Sequence, residues 1–161
     1  MKKLKIYLET SVWNFVFADD APEKMAITQE FFELVRKGVY HVYISDVVLA
    51  EINRASDDTK KKLLDLIEEI EPENLELTQE AEDLAAIYLE RKIVPEKKVE
   101  DALYVAVATL EELDALVSWN YRHLANLRKS DLFFGVNLEQ GFHKKLEIVT
   151  PLEVMDYVEN G

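Results

Sequence analysis

Apolar positions along the chain switch between two spacings, and the switches mark out alternating strands and helices. Lys3 to Leu8 reads as a first strand, its end a run of core-type residues, Ile6, Tyr7 and Leu8. A short helix is predicted from about Ser11, a residue suited to an N-cap. Pro22 opens a second helix to Arg36, with Ile27, Phe31, Leu34 and Val35 at helical spacing and Gly38 as its stop. "VYHVYIS" (39–45), rich in β-branched and aromatic residues, is a second strand. Ser45 or Asp46 then caps a helix through "SDVVLAEINRA", and Leu63, Leu64 and Ile67 stripe another over about Asp57–Glu69. "ENLELT" (73–78) predicts a third strand, after which Thr78 caps a helix that breaks before Pro95. Val99–Asp114 is helical and apolar along most of one side, so it should lie against a sheet. "ALVSWN" (115–120) is a fourth strand, and the chain from Tyr121 to about Gln140 reads as helix, ended by Gly141. "LEIVT" is the last strand, and Pro151 begins a terminal helix. Strand–helix alternation at these spacings predicts an α/β fold, a parallel sheet covered by helices on both faces.

Length and composition narrow this picture. A chain of 161 residues, 48% hydrophobic with 4 glycines and 4 prolines, predicts one domain over residues 1–161 with a single core and little linker. There is no cysteine, which excludes a disulfide framework and thiolate metal ligands. No segment has the form of a signal peptide or a membrane span, so a cytoplasmic protein is the expectation. Nineteen basic residues against 32 acidic ones leave a net charge of −13. That is the wrong sign for holding nucleic acid by bulk charge, unless the basic residues cluster or cations intervene. It suits solubility, a basic protein partner, or carboxylates gathered around a metal ion.

In a parallel α/β sheet, ligands bind beyond the carboxyl ends of the strands, where the strand order reverses. The polar residues expected there are Glu9 after the first strand, Glu51 in the helix after the second, Asp101 at the start of the long apolar helix, and Asn120 after the fourth strand. Each has a plainer reading: a strand end, a solvated helix face, a charge favoured by the helix dipole, an N-cap. Together they form a set that would repel itself without a cation. Hard oxygen donors of this kind suit Mg²⁺ or Mn²⁺ and the activation of water against a phosphodiester. Neither a zinc-ligand spacing nor a phosphate-binding glycine loop nor a nucleophile elbow is present. Trp13, Phe15 and Phe17 cluster in one short helix, as core or as an exposed protein-binding patch.

With "YLETS", "VVLAEI", "EDALYVAVA" and "LVSWNYRHL" in that order, nearly the whole chain resembles the PIN-domain family, and within it the VapC-type ribonuclease toxins of prokaryotic toxin–antitoxin pairs. The resemblance implies a Rossmann-like three-layer α/β/α sandwich and an Mg²⁺- or Mn²⁺-dependent endoribonuclease. Its acids fall on Glu9, Glu51 and Asp101, with Glu9, Asp101 and Glu51 holding metal. The fourth position falls on Asn120, which orients a water or completes the shell. Thr10, Ser11 and Ser118 align with the polar residues that support these acids. Glu9 stands where aspartate is usual, and Asn120 where an acid is usual. Lys97, Lys98, Arg122 and Arg128 are candidate RNA contacts that would rim the acidic mouth. The implied partners are an RNA substrate, a small antitoxin gripping the Trp13–Phe17 region, and a second copy of the chain in a homodimer. The alternative is a PIN-like module that binds RNA or a partner without cutting; a DNA nuclease or phosphatase would share the same site.

Overall fold

The computed structural model describes residues 2–160. Five strands form one sheet: β1 (Lys5–Leu8), β2 (His41–Ser45), β3 (Glu73–Leu75), β4 (Ala115–Val117) and β5 (Glu147–Val149). Their order is β3-β2-β1-β4-β5, and every neighbouring pair is parallel. The helices are α1 (Thr10–Phe15), α2 (Pro22–Arg36), α3 (Asp46–Asn53), α4 (Asp57–Ile70), α5 (Gln79–Glu90), α6 (Val99–Leu110), α7 (Leu127–Glu139) and α8 (Pro151–Asn160). None of them is long and apolar enough to cross a membrane.

The chain runs outward from β1 to β2 to β3, then returns across the sheet to β4 and β5. Right-handed crossovers in opposite directions place the connecting helices on opposite faces. Accordingly, α1 packs on α2 and α4, and α2 on α8, while α5 packs on α6 and α7. Because both faces are covered, Ile6, Tyr7 and Leu8 are all fully buried in succession instead of alternating in and out. The predicted three-layer parallel α/β sandwich is therefore the fold observed. The direction reverses between β1 and β4, so the crevice that such a sheet offers to ligands opens between their carboxyl ends.

Several boundaries differ from the sequence reading, each for a local reason. The strands are shorter than their apolar runs: β2 starts at His41, β3 ends at Leu75, and β4 ends at Val117, beyond which Trp119 packs toward α2, its indole donating to Thr28, and Ser118 Oγ accepts from Asn120 N. Helix α6 stops at Leu110, not Asp114, and Glu112 turns the chain with a positive φ of 55°. Tyr121–Asn126 is a sequence of turns, not helix. Asn126 Oδ1 accepts from Lys129 N at 2.9 Å and starts α7 at Leu127.

Trp13 is not part of an exposed patch. It is fully buried against Phe32, with ring centroids 5.2 Å apart, and its Nε1–H donates to Leu8 O at 3.1 Å. Phe15 is half-buried, and Phe17 alone of the three is exposed. Asn137 is likewise structural. It accepts from Tyr88 OH and donates to Thr109 Oγ1 at 3.1 Å, tying α5, α6 and α7 with a satisfied buried amide. Trp13→Ala should cost about 3–5 kcal/mol in a urea unfolding titration at unchanged m-value, from the lost apolar burial and the cavity left behind. A loss under about 1 kcal/mol would contradict this packing.

Candidate active site

The strand register brings the site residues level. Leu8 pairs with Val117, so Glu9 and Ser118, the next residue on each strand, leave the sheet side by side. Glu9 is the N-cap of α1, the part that the sequence reading assigned to Ser11. Its Oε1 accepts from Ser11 N at 3.0 Å and from Ser11 Oγ. The same Ser11 hydroxyl accepts from Trp119 N at 3.0 Å, and Ser118 Oγ accepts from Asn120 N at 2.9 Å. Ser11 and Ser118 thus act as hinges of the crevice, holding the first acid against the end of β4.

Asp101 lies in the first turn of α6 and is 8% exposed, whereas its neighbour Glu100 is drawn outward to Arg54 at 2.8 Å. This distinguishes the two adjacent acids: Asp101 faces the crevice. Asn120 donates from Nδ2 to Asp101 Oδ2 at 3.3 Å, and its Oδ1 accepts from His123 N at 3.0 Å. A backbone N–H can only donate, so the amide orientation is set by His123. Asn120 is committed at both ends. It positions Asp101 and the turn that follows.

Glu51 sits near the end of α3, in the helix after β2 as expected, well past its cap Ser45. Its Oε1 accepts from Thr10 Oγ1 at 3.2 Å, and Thr10 Oγ1 lies 2.8 Å from Tyr104 OH. Threonine has one hydroxyl proton; with that proton on Glu51, Tyr104 must donate to Thr10. Tyr104, 1% exposed, is thus the far end of a relay that orients the second acid. The sequence reading missed it, although it lies three residues after Asp101, on the same face of α6, as a hydroxyl in an otherwise apolar run.

The three acids feel one another. Burial raises Glu9 to about 7 against its ordinary 4.5, with the Asp101 charge adding to the shift. Glu51 is pushed up to about 7 by burial, with further repulsion from Glu100 and Asp101 and partial relief from Thr10 and Arg54. Burial also raises Asp101 to about 6, with Lys98 acting the other way. Among the described residues no three acids stand close enough together to clasp a single ion as they are. The donor set nevertheless fits a hard divalent cation. It is all oxygen, it is repulsive when ionised, and the burial and mutual repulsion that raise these acids are what a cation would offset.

The expected RNA contacts surround one side of this mouth. His123 is half-buried, and its titration is pulled down first by burial and then by the charges of Arg122, Lys129, Lys98 and Lys97. These four cations therefore gather beside Asn120. Arg128 is exposed next to Lys129, and Arg91 is drawn off to Glu139 at 2.7 Å. On the other side, Lys24 Nζ stands 5.3–5.6 Å from the ring centres of Phe15, Trp119 and Tyr121.

No sequence-family profile and no curated protein sequence matches the chain. Solved structures do match in fold. A chain of the VapBC2 complex from Rickettsia felis, crystallised with a DNA fragment from its promoter, aligns at a TM-score of 0.56 and 18% identity over 90% of this chain and 98% of that one. VapC20 of Mycobacterium tuberculosis, a toxin that cleaves the sarcin–ricin loop, aligns at 0.54 and 18% identity over 69% and 86%. A chain of the VapBC-5 toxin–antitoxin system of the same organism aligns at 0.51 and 18% identity over 91% and 98%. The fold is accordingly the PIN-like sandwich of these structures.

The raised acids give the protein a pH signature. Glu9 binds its proton more tightly in the folded chain than in the unfolded one. Its contribution therefore favours folding below pH 4.5 and is lost as pH rises through about 7. A shift of that size corresponds to roughly 3 kcal/mol over the window. In chelator, Glu9→Gln should flatten the fall in urea stability between about pH 5 and about pH 8 relative to wild type. An unchanged slope would show that Glu9 is not held in a desolvated site.

Proposed function

We propose that the chain is a metal-dependent endoribonuclease of PIN type, the toxin of a type II toxin–antitoxin pair. The observation that carries this reading is Asp101 near both Glu9 at the β1/β4 crevice and Glu51 on α3, close enough for its charge to act on each, with all three acids buried or half-buried and raised by burial. Glu9, Asp101 and Glu51 would hold Mg²⁺ or Mn²⁺. When bound, the ion supplies charge neutralisation for the phosphodiester and acidifies water for hydrolysis. The protein's own residues set the geometry. Ser11 and Ser118 fix Glu9, the Tyr104–Thr10 relay fixes Glu51, and the Asn120 amide fixes Asp101 while holding the turn that carries Arg122 and His123. Lys97, Lys98, Arg122 and Arg128 receive backbone phosphates, which the remaining surface would repel.

A small antitoxin with a basic segment is the partner that the acidic mouth and the net charge favour. It would act in the cytoplasm, on a toxin paired with its own copy as a homodimer. With Trp13 buried, what the Trp13–Phe17 region leaves for the antitoxin is the rim of Phe15 at the end of α1 and Phe17 just beyond it.

One observation favours a second reading, a module that binds RNA or a partner without cutting it: Asn120, where an acid is usual, has both amide groups engaged within the protein. Two measurements separate the readings. Wild type should cleave RNA with Mn²⁺ or Mg²⁺ and stop with EDTA, and Asp101→Asn should lower the rate by at least roughly 100-fold, the scale of losing a ligand or its support. Cleavage that survives Asp101→Asn with the same metal dependence would falsify the site. A folded protein that takes up no Mn²⁺ in a calorimetric titration would leave the non-cutting reading.

A further inference from the structure

Beside the acidic mouth lies a groove of about 850 Å³ between the end of α5, the 91–98 connection, the start of α6 and the turn after β4. It is continuous with the site through two short links. Val99 on its floor is two residues before Asp101, and His123 in its wall donates its backbone N–H to Asn120, which in turn holds Asp101. Leu89, Pro95 and Val99 give it an apolar face, and Lys129 stands at one end, donating to Ile93 O.

Charge is sorted around this groove. Residues 91–98 and 121–129 carry seven of the 19 lysines and arginines against one acid, Glu96, in a chain whose net charge is −13. Nearest the mouth, Lys97, Lys98 and Arg122 are exposed and act on His123. The outer wall instead carries Glu90 and Glu96, which can only accept hydrogen bonds when ionised. A phosphate fits the mouth end and is repelled at the outer wall. A flat apolar face beside an imidazole and two acceptors suits a nucleobase with exocyclic amino groups.

We propose that this groove is a nucleotide subsite of the ribonuclease, seating one unstacked base of a single-stranded RNA against Pro95, Val99 and His123 while Lys97 and Arg122 hold its phosphate. The inference rests on the ribonuclease reading for its substrate, and it adds a preference for unpaired bases, since only a base free of a partner and of its stack can leave the strand to enter the groove.

The test is fluorescence anisotropy of a short, labelled, mixed-sequence single-stranded RNA with the full chain in EDTA, so that binding is read without cleavage. Lys97→Ala/Arg122→Ala should weaken binding by roughly tenfold at low salt and make the plot of log affinity against log salt shallower by about 1.4, the value for two lost contacts on a single strand. Ala86→Trp fills the groove from an exposed position of α5 without changing charge, and should weaken single-strand binding while leaving the salt slope unchanged. Lys61→Ala/Lys62→Ala, on α4, serves as the control and should bind as wild type. Affinity unaltered by Ala86→Trp overturns the base subsite, and an unaltered salt slope in the Lys97/Arg122 variant overturns the phosphate end. Metal-dependent cleavage is measured separately. If the wild type cleaves and the groove variants bind normally, the groove fails and the nuclease stands. If the variants lose binding in a protein that never cleaves, the groove stands and the nuclease fails.

Discussion

Ser11 Oγ donates to Glu9 and accepts from Trp119 N, bridging segments 108 residues apart in the chain. That hydroxyl closes the junction between β1 and β4, the point where the sheet reverses direction and where its only wide opening at the carboxyl edge can form. Glu9 and, through Asn120, Asp101 are positioned from this junction. Glu9 leaves one strand, Ser118 and Asn120 leave the other, and α1 begins under the carboxylate that caps it. A shift of one residue in the β1–β4 register would turn Glu9 toward a helix layer and separate it from Ser118.

Placing three acids at that junction has an electrostatic cost, and the surrounding residues limit it without removing it. Two backbone and side-chain donors from Ser11 serve Glu9, one hydroxyl serves Glu51, and one amide serves Asp101. Each is a neutral dipole, so the acids are oriented but not neutralised, and their raised affinities for protons are what remains. Lys98 and Arg54 relieve Asp101 and Glu51 only in part, and burial keeps both acids raised. Arg54 is the nearest built-in cation on the α3 side, and it is spent on Glu100.

Asn120 illustrates how the loss of a charge can be absorbed. An acid at this position would add to the repulsion on Asp101, whereas the amide donates to it and, through Oδ1, fixes the backbone of His123. The amide thereby holds a turn, and the turn carries Arg122 and His123 to the edge of the mouth. The same turn keeps Tyr121–Asn126 out of helix, so the basic residues there project together with Lys97 and Lys98 instead of being spread around a helix surface.

The order of strands and helices, the helix caps at Ser45 and Thr78, the parallel sandwich and the candidate acids were all legible in the residues, because periodicity, cap chemistry and buried apolar runs are local properties. What a linear reading could not supply depends on which strands become neighbours. Glu100 and Asp101 are adjacent and equally acidic in sequence, and only the approach of Arg54 from α3 separates them. Trp13 could be core or part of an exposed aromatic patch, and only the α1–α2 packing decides for core. Tyr104 looked like core, and the relay through Thr10 to Glu51 joins three elements far apart in the chain. A net charge of −13 argued against nucleic acid, yet the fold brings two basic segments side by side at one rim. Charge sums are blind to placement, and electrostatics at an active site depends on distance.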